Sequence, residues 1–395
     1  MKIVAMRILI APDKFKGSLT AREVAENVAI GLRDALPDAK IDIVPMADGG
    51  EGTAEAICGA RDCVWLQCKA HDALGREIDA RYGWLEDEKL AVMEMSEAAG
   101  MRRISEDERD PVRATTFGVG EMILDAANRS ANRIIIGLGG SATNDGGFGM
   151  ARALGFRFFA NGEELYGAVS DLHELTQIVL PEKTVGALVS SAQRKTRRLT
   201  QSPLQGALLK IVAAVDVKNP LLGKNGATRV FGPQKGASKK EIDILERALS
   251  RLADVVAKEF GFDYRHEAGA GAAGGLGFGL MSFCGAKVRP GFDVVAEAVG
   301  LEAKIQGADV VITGEGSLDR QTLEGKTPAG VARLTQKFGK RVFAIVGRAT
   351  KEKEVREIFD AVYENARPGM SRDENMKRAP ELLRENAREL GKTLS

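Results

Sequence analysis

The chain has 395 residues, and 56 Lys plus Arg against 55 Asp plus Glu leave a net charge of +1, so no overall field draws it to nucleic acid or an anionic membrane. A hydrophobic share of 44% with 28% charged residues excludes a largely disordered chain, and aromatics at 5% argue against a stacking platform for bases. Glycine is unusually frequent at 45 residues, against a usual ~7% of a chain.

The first predicted element is a strand, Arg7 to Ala11, stopped by Pro12. A helix follows, with Val24, Val28 and Leu32 at helical spacing and a capping box from Thr20 to Glu23, or a cap from Ser18. A second strand, Ile41 to Val44, runs into Pro45 and the polar, glycine-rich turn Met46 to Thr53. Strand, helix and strand in so short a span make a βαβ unit with a parallel sheet. In the middle of the chain, Arg81 to Leu85 and Leu90 to Met95 read as a hairpin around Glu86 to Lys89. Arg133 to Gly137 and Ala207 to Val217 read as further strands, and the basic Ser190 to Ser202 as a solvated stretch. Towards the end, Ala308 to Thr313 is a strand, Pro328 behind Thr327 opens a helix, Arg341 to Val346 is another strand, and Glu381 to Leu394 is an amphipathic helix.

This order predicts an α/β protein. Its Rossmann-like, mostly parallel sheet is formed by both chain ends, residues 1–62 and 288–395, with an α/β domain inserted over 63–287. No run of about 18 apolar residues spans a membrane, and no signal-peptide pattern opens the chain. Cys58, Cys63, Cys68 and Cys284 match neither a zinc spacing nor a disulfide framework, so they read as free thiols in a reducing cytoplasm.

Four glycine-rich turns can bring backbone N–H groups close to anionic oxygens: Ala47 to Thr53, Gly137 to Gly147, Gly269 to Gly279 and Gly314 to Asp319. Three of them carry a carboxylate and follow a predicted strand, where ligands of open α/β sheets bind. Gly325-Lys326-Thr327 has the ending of a P-loop, but Arg320 occupies the position of its first glycine. Gly137 to Ala142 fits a dinucleotide fingerprint, yet Thr143 to Gly147 delays the helix that should receive a pyrophosphate. Phosphoryl transfer without a P-loop fits better, since it needs carboxylates for Mg2+ and for the acceptor hydroxyl, and cations for the charge in transit. Asp48, Asp145, Asp216 and Asp319 lie at strand-to-turn junctions, and Lys16 lies just before a helix start. His71, His173 and His266 stand in no metal or triad spacing.

Together, Ala11 to Ser18, Pro45 to Thr53, Gly137 to Gly147, Asp216 to Gly223, Phe231 to Ala237, Gly269 to Gly277 and Thr313 to Pro328 resemble, in order, the signature blocks of the bacterial glycerate kinase type 1 family. The sequence departs from the family pattern at Lys14, where a serine is usual, and at Lys218, where an aspartate is usual; Gly167 to Gln205 matches poorly. The resemblance implies ATP-dependent phosphorylation of D-glycerate, with 2-phosphoglycerate as product, and a Mg2+ requirement. Because the acid-bearing turns come from both the terminal and the middle segments, the site is expected in an interdomain cleft. The resemblance leads to Lys16, Asp216 and Asp319 as catalytic residues, with Asp216 and Asp319 as metal ligands or base. Asp48, Gly49, Gly50, Gly139, Gly140, Ser141, Asn144, Asp145 and Lys326 are the expected substrate or phosphate contacts. The expected partners are glycerate and ATP, with neither nucleic acid nor membrane, and a homodimer is compatible with the sequence. Two rival readings stand beside it. One is a nicotinamide-dependent oxidoreductase of a small hydroxy acid, which leaves the aspartate-bearing turns idle; the other is a non-catalytic acid-binding regulator.

Overall fold

A computed structural model describes residues 5–181 and 209–395, so Ser190 to Ser202 lies outside the described residues. The chain forms two compact units: the residues up to Asp62 with Pro290–Ser395, and those between Cys63 and Arg289.

The first unit is built on a five-stranded parallel sheet in the order Ala361–Glu364, Arg341–Val346, Val310–Thr313, Arg7–Ile10, Lys40–Ile43. Ile8 pairs with Val310 on one side and Ile41 on the other, so three strands from the end of the chain and two from its beginning join in one Rossmann-like sheet. Neighbours in such a sheet are buried on both faces, and Ile8, Leu9, Ile10, Val310, Val311 and Ile312 are all essentially inaccessible. The helix Ala21–Ala35 begins at the capping box, with Thr20 accepting from Glu23 N and the Glu23 carboxylate accepting from Thr20 N. It packs Val24, Val28 and Leu32 with Leu383 and Leu390 of the last helix, Ala379–Leu394, over Ile8, Ile10 and Phe343. Close approach of these helices requires Gly31, where a Cβ would lie 2.2 Å from the Arg384 carbonyl oxygen.

The second unit holds a six-stranded sheet in the order Lys287–Pro290, Lys210–Val215, Arg133–Gly137, Leu90–Glu94, Glu77–Leu85, Val64–His71. The three consecutive strands from Lys210–Val215 to Leu90–Glu94 are parallel. The last three form an antiparallel meander whose Glu77–Leu85 and Leu90–Glu94 arms are the expected hairpin. The strand expected over Ala207 to Val217 is observed as Lys210–Val215, with 207 and 208 outside the described residues. Helices Phe117–Asn128, Lys239–Phe260 and Ala272–Cys284 cover the sheet around a core that includes Ile134, Ile136, Met122, Leu249, Leu252 and Phe278. No helix of the described residues is long and apolar enough to cross a membrane. All four cysteines are free, and burial pushes the Cys68 and Cys284 thiols up to about 12, far from reactive thiolates.

Candidate active site

In the first unit, three adjacent parallel strands end side by side and continue into turns that carry acids. Asp13 N donates to Gly314 O (2.8 Å) and Met46 N to Pro12 O (2.8 Å), so the segments beyond the strands remain in register. Asp13 is buried, and Thr327 Oγ1 donates to its Oδ2 at 2.6 Å. Burial, and then the charge of Asp48, raise its carboxyl to about 7 against the pull of the Thr327 and Lys14 donors. Glu315, also buried, is raised to about 7, mainly by burial, with smaller contributions from Asp13 and Asp48. Asp48 is half-buried, and its Oδ1 accepts from Gly50 N at 3.3 Å, which folds the Asp48–Gly50 turn. Gly291 is required beside this turn, because a Cβ there would lie 2.0 Å from the Asp48 carbonyl oxygen.

A second pair of acids is joined through one hydroxyl. Thr322 Oγ1 donates to Glu315 Oε1 (2.8 Å) and accepts from Asp319 N (3.1 Å). Asp319 is less buried and caps the short turn Arg320–Glu324 through Gln321 N, at 2.9 Å from Oδ1. Lys326 Nζ lies 3.9 Å from the same oxygen, and Lys326 itself is the N-cap of the helix Thr327–Lys337, one residue before the start expected from Pro328. Lys16 is exposed in the tight turn between Phe15 and Leu19, its side chain unpaired among the described residues; Lys14 Nζ donates to Glu51 O.

In the second unit the turn from Gly137 to Gly147 follows a strand, as its sequence suggests, but its polar residues divide into two sets. Gly139, Gly140 and Ser141 lie at its outer part, with Gly140 exposed and left-handed (φ 66°) and Ser141 buried in a bridge to Gly100. Asn144 and Asp145 are turned inward. Asp145 accepts from Thr116 N (2.8 Å), Thr116 Oγ1 (2.8 Å), Gly147 N (3.0 Å) and Gly149 N (3.0 Å), and burial still raises its carboxyl. These bonds occupy both of its oxygens, so it shapes the turn. Asn144 Nδ2 donates to Thr228 Oγ1 (2.9 Å), while Asn144 Oδ1 and Thr143 Oγ1 are buried without a partner. Asp216 is exposed immediately after the strand Lys210–Val215.

Three residues escape the reading of the sequence. Asp13 and Glu315 are each the first acid after a strand, the same signal that picked out Asp48 and Asp319. The third is Lys235, which is 2% exposed and donates from Nζ to Thr143 O at 2.6 Å. Burial lowers it to about 7, with Asp145 the one charge opposing the shift. The Gly269 to Gly279 run takes a different part from the one expected. Ala273, Gly274 and Gly275 are left-handed, and Gly274 sits where a Cβ would be 2.0 Å from Thr143 O. Gly279 likewise packs on Gly146 and Gly147. This run is the bed on which the Thr143–Gly147 turn rests.

Among the described residues, no three Asp, Glu, His or Cys side chains are placed to hold a metal ion by themselves. The donors present are nevertheless hard carboxylate oxygens, and Mg2+ in phosphate-handling sites is typically bound by one or two carboxylates plus the phosphates. Two acids held near neutrality by burial and mutual repulsion suit a cation. The residues fit.

A family model for the glycerate kinase family matches residues 8–395. The chain belongs to the glycerate kinase family. It is 39% identical over 388 residues to a glycerate kinase of Halalkalibacterium halodurans, covering 97% of each chain. It is 42% identical to a glycerate 2-kinase of Escherichia coli over 348 residues, 88% of this chain and 86% of that one. A solved structure described as glycerate kinase 2 from Salmonella typhimurium superposes with a TM-score of 0.83 at 40% identity, covering 99% of this chain and 98% of that one. Membership of this family makes the chain a phosphotransferase, and the family match takes in both units.

Proposed function

We propose that the chain transfers the γ-phosphoryl group of ATP to a hydroxyl of D-glycerate, giving 2-phosphoglycerate, with Mg2+ required. The observation that carries the reading is the row of acids at the ends of three adjacent parallel strands, Asp13, Asp48 and Glu315, with Asp319 linked to Glu315 through Thr322. A nicotinamide site would not use them, and an anion-binding regulator would be repelled by them.

The roles are assigned unit by unit. In the first, one or two of Asp13, Asp48 and Asp319 would hold Mg2+ together with the phosphates, and the ion when bound neutralises phosphate charge. Asp319, less buried than Asp13 and Glu315, is equally suited to accept the hydroxyl proton of glycerate. Lys16, on its exposed turn, compensates the charge of the transferring group, and Lys326 does so at the start of its helix, where N–H groups add to its effect. Gly49 and Gly50 keep the Asp48 turn open to close approach by an anion. In the second unit, the backbone N–H groups of Gly139 and Gly140 and the Ser141 hydroxyl hold the small acid or a phosphate. Asn144 and Asp145 keep that turn in shape, and Asp216 is a second candidate for metal ligand or base.

The deciding assay is ATP consumption with a panel of hydroxy acids, with and without Mg2+, and phosphorus NMR of the product. Turnover confined to D-glycerate with Mg2+, and a phosphate on C2, is the expected result. Turnover on a different acid, none at all, or a product phosphorylated at C3 overturns the corresponding part of the reading.

A further inference from the structure

We propose that a cavity between Arg113 and Arg152, in the unit running from Cys63 to Arg289, is a binding site for a small phosphate monoester. The inference goes beyond the kinase reading and does not rest on it. The cavity holds about 440 Å³, within the range of small-molecule sites, and His71, Thr115, Phe117 and Tyr166 line it together with the two arginines. None of its lining residues is an aspartate or glutamate. The wall itself therefore carries cations and neutral donors but no carboxylate.

Among the described residues neither cation is in an ion pair, while Glu164 and Asp145 act on Arg152 from further off. Arg113 is exposed, and among the described residues its guanidinium makes no ion pair or hydrogen bond. A second cavity that Arg113 also borders carries Asp107, Glu108, Asp110 and Glu241, yet none of them pairs with its guanidinium. Arg152 is half-buried, donates to Tyr166 O at 2.8 Å, and lies over the rings of Phe117 (5.8 Å), Phe148 (5.4 Å) and Tyr166 (5.3 Å). Those rings fix the plane of its fork, so little rotamer freedom remains to be lost on binding an anion.

The neutral donors agree. Thr115 Oγ1 accepts from Phe117 N (3.2 Å), which leaves its hydroxyl proton to donate. His71 Nδ1 is held by Glu121 at 2.9 Å, leaving Nε2 as the ring's other polar atom. The helix Phe117–Asn128 begins at this wall and adds the positive end of its dipole. Two guanidiniums match the roughly two charges of a phosphate monoester, whereas a monocarboxylate would leave one uncompensated. Phe117 and Tyr166, the latter 63% exposed, offer apolar surface to the organic remainder.

The test is calorimetric titration of the whole chain at constant ionic strength, with glycerol 3-phosphate, inorganic phosphate, malonate and chloride as probes. Saturable binding of glycerol 3-phosphate is expected, weakened at least tenfold by Arg113→Met and by Arg152→Lys, which keeps the charge and loses the fork. Inorganic phosphate and the dianion malonate should both bind more weakly than the ester, and chloride not measurably. Turnover without added phosphate ester should stay within about twofold in Arg113→Met. Circular dichroism melts of both variants check that they fold, and because Arg113 is exposed its variant keeps the test decisive if Arg152→Lys does not. The proposal is overturned by undiminished binding in Arg113→Met, by malonate binding as tightly as the ester, by absence of saturable ester binding, or by binding abolished in Lys16→Ala but retained in Arg113→Met. Loss of basal turnover in Arg113→Met would place the cavity in the reaction itself and also overturn it. Failure of the glycerate assay alone leaves this result standing.

Discussion

Thr327 Oγ1 donates a 2.6 Å hydrogen bond to Asp13 Oδ2 across 314 residues of sequence, both side chains buried. It ties the first turn of the helix Thr327–Lys337 to the segment that leaves the strand Arg7–Ile10, so the two ends of the chain meet at the acid that burial raises most directly. The bond favours the ionised carboxylate, opposing burial and the charge of Asp48. Thr327→Val keeps the shape and removes the donor. Urea unfolding should show a loss of roughly 1–3 kcal/mol, the cost of leaving a buried charged acceptor short of one partner. The acid limb of the kcat/KM profile should move to higher pH, because loss of the donor raises Asp13 further. An unmoved limb would show that Asp13 is not ionised in the reaction.

Stability should fall as pH rises through neutrality in the absence of divalent cations. Asp13 and Glu315 keep their protons in the folded chain up to about 7, whereas free carboxyls release theirs near 4. Between those values the folded state binds more protons than the unfolded one, so unfolding free energy declines across that window and levels off above it. Asp13 acts on Glu315, so the decline belongs to the pair and not to either residue alone. Asp13→Asn and Glu315→Gln should each flatten it, gaining more at pH 8 than at pH 5. Mg2+ should raise Tm more at pH 8 than at pH 5 in the parent chain, and an equal rise at both would count against cation binding by these acids.

Lys235 has the opposite sign. Its folded value near 7 lies below the ordinary lysine range, so between about 7 and 10 the unfolded chain holds the extra proton and this residue's contribution to stability grows with pH. Lys235→Met should abolish that rise and leave stability at pH 6 equal or higher, since a buried cation with one hydrogen bond costs more than a thioether of similar length. It also frees Thr143 O and loosens the Gly137–Gly147 turn. KM for the acid should therefore rise several-fold while kcat changes less. A parallel fall in kcat with unchanged KM would make Lys235 part of the chemistry instead of the support.

What the sequence discloses is whatever is local. The capping box at Thr20 and Glu23, the strand before Pro12 and the hairpin around Glu86 to Lys89 are all written within a few residues of one another. The parallel sheet shared by both chain ends follows from repeated strand–turn–helix order. Burial is not local. Asp13 sits in the polar string Pro12-Asp13-Lys14-Phe15-Lys16 and looks solvated, but Gly314 and Thr327, some 300 residues away, enclose it. Lys235 looks like one more surface lysine until Thr143 O is seen to accept its proton. The Gly269 to Gly279 run has the composition of an anion-binding loop, and only the fold shows that its missing side chains make room for Thr143 and Gly146.

The contrast between Asp145 and Asp319 separates an acid that builds the site from one that works in it. Asp145 is fully buried and accepts four internal hydrogen bonds, whereas Asp319 is partly exposed and only caps its own short turn. Asp145→Asn replaces one acceptor oxygen by an amine facing donors, so it should destabilise the chain by about 3 kcal/mol and lower activity through misfolding of the turn. Asp319→Asn retains an oxygen for Gln321 N, so its stability should stay within about 1 kcal/mol of the parent. Its kcat should nevertheless fall about 10²-fold or more, because a charge positioned at the reacting centre is worth several kcal/mol of transition-state stabilisation. Lys16→Ala should show the same split, fold intact and kcat down about 10²-fold, since its exposed side chain has no structural partner among the described residues. Cys58→Ser and His266→Ala, residues given no role in the reaction, should leave kcat within about threefold. Melting curves and steady-state kinetics on the same preparations distinguish the outcomes. Near-parental turnover in Asp319→Asn would reduce that residue to a cap of its own short turn and pass the proton or the metal to Asp13, Asp48 or Asp216.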